Sequence, residues 1–191
     1  MQVKLLNITD DALNFIGDCA GICYDSKRDR NSNIRRAISC KDKGHLATLR
    51  FAHATFHVTG ISRICSHQFV RSKHLDFLQR SQRYCEEDIP KFVYPGTTSD
   101  TNISGLYQTA YRVYQDLLQA GLKKEDARFV LPEGTQTELV VTGNFQAWLD
   151  FIRLRLDKYA QWEIRAVARE INNALAEHAP GLFNWAPEFK K

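Results

Sequence analysis

Residues 52–60, AHATFHVTG, constrain the fold most tightly. Ala54, Phe56 and Val58 alternate without a break against His53, Thr55, His57 and Thr59, so one set lines each side of an extended chain, the mark of a half-buried strand. Gly60 is read as its end. Further strands are expected at QVKLLNI (2–8) and at TQTELVVTGN (135–144).

Helical spacing fills much of the remainder. DDALNFIGDCAGICYDS reads as a helix begun by Asp10 or Asp11, with Leu13, Ile16, Ala20 and Cys23 on one stripe. ISRICSHQFVRSK reads as another, with Gln68 and Arg71 three residues apart and so on one face. SGLYQTAYRVYQDLLQAGL sets Leu106, Ala110, Val113, Tyr114, Leu117 and Leu118 at helical spacing as a packing face, and Gly121 stops it. The stretch from Phe145 to Ala179 is helical with a break near Lys158 to Ala160, ending before Pro180. KRDRNSNIRRAISCKDKG reads as partly loop, and HLDFLQRSQRY shows no clear period. Strands and helices do not alternate regularly, so the expected class is α+β: a single domain over 1–191, with an antiparallel or mixed sheet packed by long helices.

No apolar run is long enough for a membrane span, and MQVKLLNITDDALNF lacks the basic start, apolar stretch and cleavage site of a signal peptide; a cytoplasmic protein is expected. Its five cysteines form no paired C-x-x-C motifs and read as buried free thiols. Cys65, His67, His74 and Cys85 match no familiar ligand spacing, so no metal is expected. There is no GxGxxG and no P-loop.

The net charge of +4 is concentrated. Arg63, Arg71, Lys73, Arg80 and Arg83 stand against Asp76 alone between residues 63 and 83, which by itself equals the whole excess. Such a focus suits a small anion such as a phosphate better than a nucleic-acid track, which spreads its basic residues along a stripe. Arg155 falls in line with Trp148 and Ile152 on what should be a buried helix face. A guanidinium there cannot shed its proton and needs a partner. Two readings stay open: an internal ion pair, or the edge of a planar or phosphate-bearing ligand. Arg71, Arg80, Arg83 and Arg128, with nearby glutamines and Ser81, would suit a nucleoside monophosphate.

SRICSHQFVRSKHLDFLQRSQRY (62–84) resembles the signature region of the flavin-dependent thymidylate synthases. The likeness extends to Gly44-His45, TGISR (59–63), ARFVLP (127–132), VVTGNFQAW (140–148), FIRLR (151–155) and AQWEIR (160–165). It implies a homotetrameric α+β enzyme with active sites shared between subunits. The implied reaction is reductive methylation of dUMP to dTMP, using FAD, NADPH and methylenetetrahydrofolate. Carried over by position, Gln68, Arg71, Gln79, Ser81, Gln82 and Arg83 would hold dUMP, Arg128 would add charge from a neighbouring subunit, and Arg155 would face the pyrimidine as the catalytic residue. His45, Arg71 and Asn144 would contact FAD.

The flavin-facing positions depart from the family pattern. Arg-His-Arg is here Arg71-Ser72-Lys73, a Ser or Thr is Ala47, a Glu-His pair is Arg50-Phe51, and positions within and beyond the signature are Asp76, Leu78, Gln146 and Asp150. An alternative is therefore a flavin-lacking paralogue that hydroxymethylates, or only binds, a pyrimidine deoxynucleotide monophosphate. A non-enzymatic module that binds nucleotides or nucleic acid through the basic pocket is a third reading; few aromatics interleave with the basic residues, which is weak for single-strand stacking.

Overall fold

The computed structural model describes residues 1–87, 91–96 and 103–184. Its centre is a four-stranded antiparallel sheet in the order β1-β2-β4-β3, formed by β1 (Gln2–Ile8), β2 (His53–Ser62), β3 (Leu75–Gln79) and β4 (Gln136–Asn144). Phe56 and Phe77 both pair with Val141, on either side of β4. The alternation read in β2 holds, since Ala54, Phe56 and Val58 are buried. In β4 the buried positions are Thr137, Leu139, Val141 and Gly143. One face of the sheet therefore packs inward.

Gly60 does not end β2. The strand runs on to Ser62 through a bulge between Thr59 and Ile61, where Gly60 has φ 69 and a Cβ would lie 3.1 Å from the Met1 nitrogen. Glycine is used here for a left-handed kink under close backbone approach. That kink turns the chain into α3 (Arg63–Phe69), whose first turn Ser62 caps by accepting from Cys65 N at 3.0 Å.

Helices cover the inner face. α1 (Ala12–Ile22) buries Leu13, Ile16 and Ala20 as expected, but Cys23 lies just past its end and is exposed. The expected partial loop after it is mostly α2 (Arg30–Asp42). Its sequence is too polar to show an apolar stripe, yet Asp29 caps it, accepting from Ser32 N at 3.1 Å and from Ser32 Oγ at 2.8 Å. Those bonds hold the Asp29 carboxyl down at about 2. A 3-10 turn, Leu46–Phe51, leads into β2.

α6 (Phe145–Arg155) and α7 (Trp162–His178) form the helical last third, with the break at 156–161. Trp148 is fully buried, stacks edge-on to Phe56 at 5.1 Å, and donates its indole N–H to Ala54 O at 3.1 Å. Ile164, Val167, Ala168, Ile171 and Leu175 form the buried stripe of α7.

α4 (Ile103–Gln119) contradicts its expected packing role. Among the described residues Tyr114 is its one buried side chain, and Leu106 is 69% exposed. α5 (Lys124–Ala127) and a 3-10 turn over Arg128–Val130 follow it. The cysteines also depart from expectation: all five are free, but Cys65 alone is buried. The α+β class holds, with every strand pairing antiparallel. None of the described helices is long and apolar enough to cross a membrane.

Candidate functional site

Arg155 is the last residue of α6, one turn beyond the buried Ile152. Its Nη2 donates to Gln68 O near the end of α3 at 2.5 Å, while its Nε is buried with no partner. No ion pair joins it to a carboxylate among the described residues, which removes the first of the two sequence readings. Burial pushes the Arg155 pKa down; the Cys65 thiol opposes that shift and Arg71 adds to it. A guanidinium held in place by a single carbonyl, with one buried N–H open, is prepared to donate to something that the described residues do not supply.

Gln68 is half-buried within α3. Arg71 is not on the helix face with it, because α3 ends at Phe69 and Arg71 sits exposed in the following turn. It still lies close enough to act electrostatically on Arg155. Gln79, at the end of β3, donates to Ser66 Oγ at 3.0 Å and to Thr137 Oγ1 at 3.3 Å, tying α3 to β4.

The next loop is shaped by Ser81. Its carbonyl accepts from Tyr84 N and Cys85 N, and its hydroxyl accepts from Arg83 N at 3.2 Å. Gln82 is turned inward, 7% exposed, with an unpartnered amide nitrogen. Arg83 Nε meets Glu125 Oε2 at 2.6 Å, and Arg128 Nε donates to the Glu125 carbonyl at 3.0 Å. Glu125 thus brings Arg83 and Arg128 together within one chain.

Arg63, which the sequence showed only as part of a charge excess, belongs to this group. Its Nη2 donates to Arg80 O at 3.1 Å and its Nε is buried without a partner. Burial lowers its pKa, Glu87 opposes that, and Arg128 and Arg80 lower it further. A trough of about 340 Å³ beside this group is lined by Arg80, Lys91, Glu87, Gln136 and Thr137 among others. Lys91 and Glu125 carried no motif that would have singled them out.

The residues expected to face a flavin do not line a single cavity. His45 lines one of about 380 Å³ with Arg36, Ser39, Lys43 and Thr48. Asn144 lines another of about 280 Å³ with Arg50, His74, Gln146 and Asp150. The 3-10 turn runs between them, from His45 at its cap to Arg50, roughly 10 Å at a rise of about 2 Å per residue. Around His45 the donors suit a phosphate-bearing ligand, although Arg36 already serves Gly17 O, Lys27 O and Asn33 Oδ1. At the other end Arg50 Nε donates to Gln146 Oε1 at 2.7 Å, and Asn144 Oδ1 accepts from Ala147 N at 2.9 Å as the cap of α6. Ser72, in the middle of Arg71-Ser72-Lys73, has a buried hydroxyl without a partner. The Lys43 and His45 side chains at one cavity and the Asn144 amide at the other are the donors that would be offered to a flavin dinucleotide.

Known proteins resemble the chain over most of its length. The family described as thymidylate synthase complementing protein matches residues 4–181. The flavin-dependent thymidylate synthase of Mycobacterium sp. (strain KMS) is 37% identical over 166 residues, covering 74% of this chain and 65% of that protein. The chain thus spans just under two thirds of the length of that relative. The protein of the same name from Mycobacterium bovis (strain BCG / Pasteur 1173P2) is 37% identical over 187 residues, covering 84% and 74%. That from Geobacter sulfurreducens is 34% identical over 201 residues, covering 96% and 85%. With β2 to β4, most of β1, the arginine-bearing segments and both C-terminal helices inside the matched span, the chain belongs to the thymidylate synthase complementing protein family.

Proposed function

We propose that the protein is a flavin-dependent thymidylate synthase, methylating dUMP reductively to dTMP with methylenetetrahydrofolate as one-carbon donor and NADPH as reductant. The observation that carries this reading is Arg155, a buried guanidinium with an open N–H beside Gln68 and Arg71. Placed against a pyrimidine edge, Arg155 donates to a ring carbonyl and stabilises negative charge as it develops on the base. That charge exists fully only in the transition state, so a fixed donor there lowers the barrier.

The remaining residues bind and orient. Arg83 and Arg128 meet the doubly anionic phosphate of dUMP, with Arg63 and Arg80 adding positive field, each charge-assisted bond contributing about 1.5–3 kcal/mol. Gln82 has an unpartnered amide and Ser81 a hydroxyl for the phosphate and sugar. Gln68, Gln79 and Arg71 hold the nucleoside from the α3 side. His45, Arg71 and Asn144, with Lys43 at the larger cavity, would hold FAD, which when bound supplies the hydride. The exposed apolar face of α4 supports assembly into a homotetramer with active sites at subunit interfaces. Free thiols throughout support a cytoplasmic location.

The test is an absorption spectrum of the purified protein with and without added FAD and dUMP, paired with calorimetric titration by dUMP. Stoichiometric flavin absorbance and dUMP binding are expected. One observation favours the second reading, a flavin-lacking paralogue that hydroxymethylates or only binds a pyrimidine deoxynucleotide monophosphate: Arg50 and Gln146 already satisfy one another in the smaller cavity. Protein that binds dUMP but retains no flavin absorbance once excess FAD is removed by gel filtration would establish that alternative.

A further inference from the structure

Glu163 is a buried carboxylate, 3% exposed, that no nucleotide or flavin contact uses. It stands in the first turn of α7 between Trp162 and Ile164. Its Oε1 accepts from Ser62 N at 2.7 Å and its Oε2 from Ser62 Oγ at 2.5 Å. Ser62 Oγ in turn accepts from Cys65 N. The carboxylate therefore grips the start of α3 through both polar groups of its cap. At the far end of the same short helix, Gln68 O accepts from Arg155. α3 is thus held between an anion at its positive end and a cation at its negative end, the arrangement that complements the helix dipole twice. Cys65 lies between the two, its thiol pKa pushed up first by burial and then by Glu163, and pulled back by Arg155.

We infer that Glu163 is a positioning residue for Arg155: by fixing the cap of α3 it fixes the Gln68 carbonyl, and that carbonyl sets the direction in which the guanidinium points. α3 has only seven residues, anchored on its inner face by the buried Cys65 and Phe69, with Phe69 stacked on Phe151 at 4.6 Å and Ser66 tied to Gln79. The two polar contacts at its cap and the one at its far end add to these in setting its tilt and depth. A shift of the cap translates directly into a shift of the carbonyl, because a single helical turn separates Cys65 from Gln68 and the turn moves as a unit. A small displacement is enough to matter, since the contribution of a pre-aimed donor depends on its direction as well as its distance.

The inference rests on the proposed role of Arg155, and its test separates the two. The variants are Glu163→Gln, which reverses the Ser62 Oγ bond at constant shape, and Ser62→Ala, with Ser62→Thr as the conservative rescue. Far-UV circular dichroism and Tm identify any variant that fails to fold; the Ser62 pair carries the test if Glu163→Gln does. The first readout needs no ligand: the Arg155 side-chain Nε–H resonance, assigned by its loss in Arg155→Lys, is expected to shift or broaden in Glu163→Gln and Ser62→Ala and to return in Ser62→Thr. The second is a double-mutant cycle on dUMP affinity. Glu163→Gln is expected to weaken binding about tenfold in the wild-type background and less than twofold beside Arg155→Lys. An unmoved resonance, or the same factor in both backgrounds, overturns the positioning role and leaves Glu163 as a stabilising contact only. Wild-type protein that takes up no dUMP would sink the proposed function, while the resonance would still decide this inference.

Discussion

At the scale of single residues, the outcome depends on which side chains lack partners. Arg155 was legible in the sequence because its position in a stripe with Trp148 and Ile152 put a charge where periodicity demanded an apolar group. Arg63 was not: a basic residue at a strand-to-helix junction looks like surface, and only the folded chain shows its Nε buried without a partner and within the electrostatic reach of Arg80 and Arg128. Glu163 was hidden for the same reason, an acidic residue in a helix's first turn being ordinary. Replacing Arg155 by alanine should lower kcat about 100- to 1,000-fold, the range for removing one donor to developing charge, and weaken dUMP binding. Steady-state kinetics and calorimetry check this, and wild-type values in the variant would remove Arg155 from catalysis. Arg155→Lys should fall between, keeping charge but not the planar fork. Thiol labelling offers an independent reading of burial. Cys23 should react with a maleimide in the native protein, whereas Cys65, buried and with its pKa raised, should react only after unfolding.

At the scale of elements, legibility followed burial contrast. β2 was readable because its alternation coincides with a real inside and outside. β3 was not, because it is a short edge strand in which Phe77 is half-buried and Leu78 is 79% exposed, blurring the period. α2 was unreadable by stripe but carries a capping signal in Asp29 and Ser32. Because the folded Asp29 carboxyl is held at about 2, below its ordinary value, its contribution is fully present above about pH 4 and is lost as pH falls towards 2. The Tm difference between wild type and Asp29→Ala should therefore be constant from pH 7 to about 4 and shrink below that. In α7, Ile171→Ala should cost about 2–5 kcal/mol in a denaturant titration, since Ile171 is fully buried in the core beneath the sheet.

At the scale of the whole molecule, α4 matters most. An amphipathic helix with one buried residue leaves Leu106 and Val113 facing outward, and apolar faces of that kind mark association surfaces. The spacing of its apolar residues was read correctly while their destination was not, because periodicity says that a face is covered without saying whether by the same chain. Sedimentation should give a mass four times that of the chain, and Leu106→Glu with Val113→Glu should lower it and abolish turnover together. Unchanged mass and activity in that double variant would place the interface elsewhere. Of the departures from the family pattern read in the sequence, Arg50, Gln146 and Asp150 line one cavity at one end of the 3-10 turn.

The double duty of Asn144 makes this last region separable by chemistry. One oxygen starts α6, while the amide hydrogens on the same side chain remain for whatever enters the cavity. Asn144→Asp retains the oxygen and discards the donor, whereas Asn144→Ala discards both. Comparing the melting curves and ligand titrations of those two proteins tells a collapsed scaffold apart from a missing handhold.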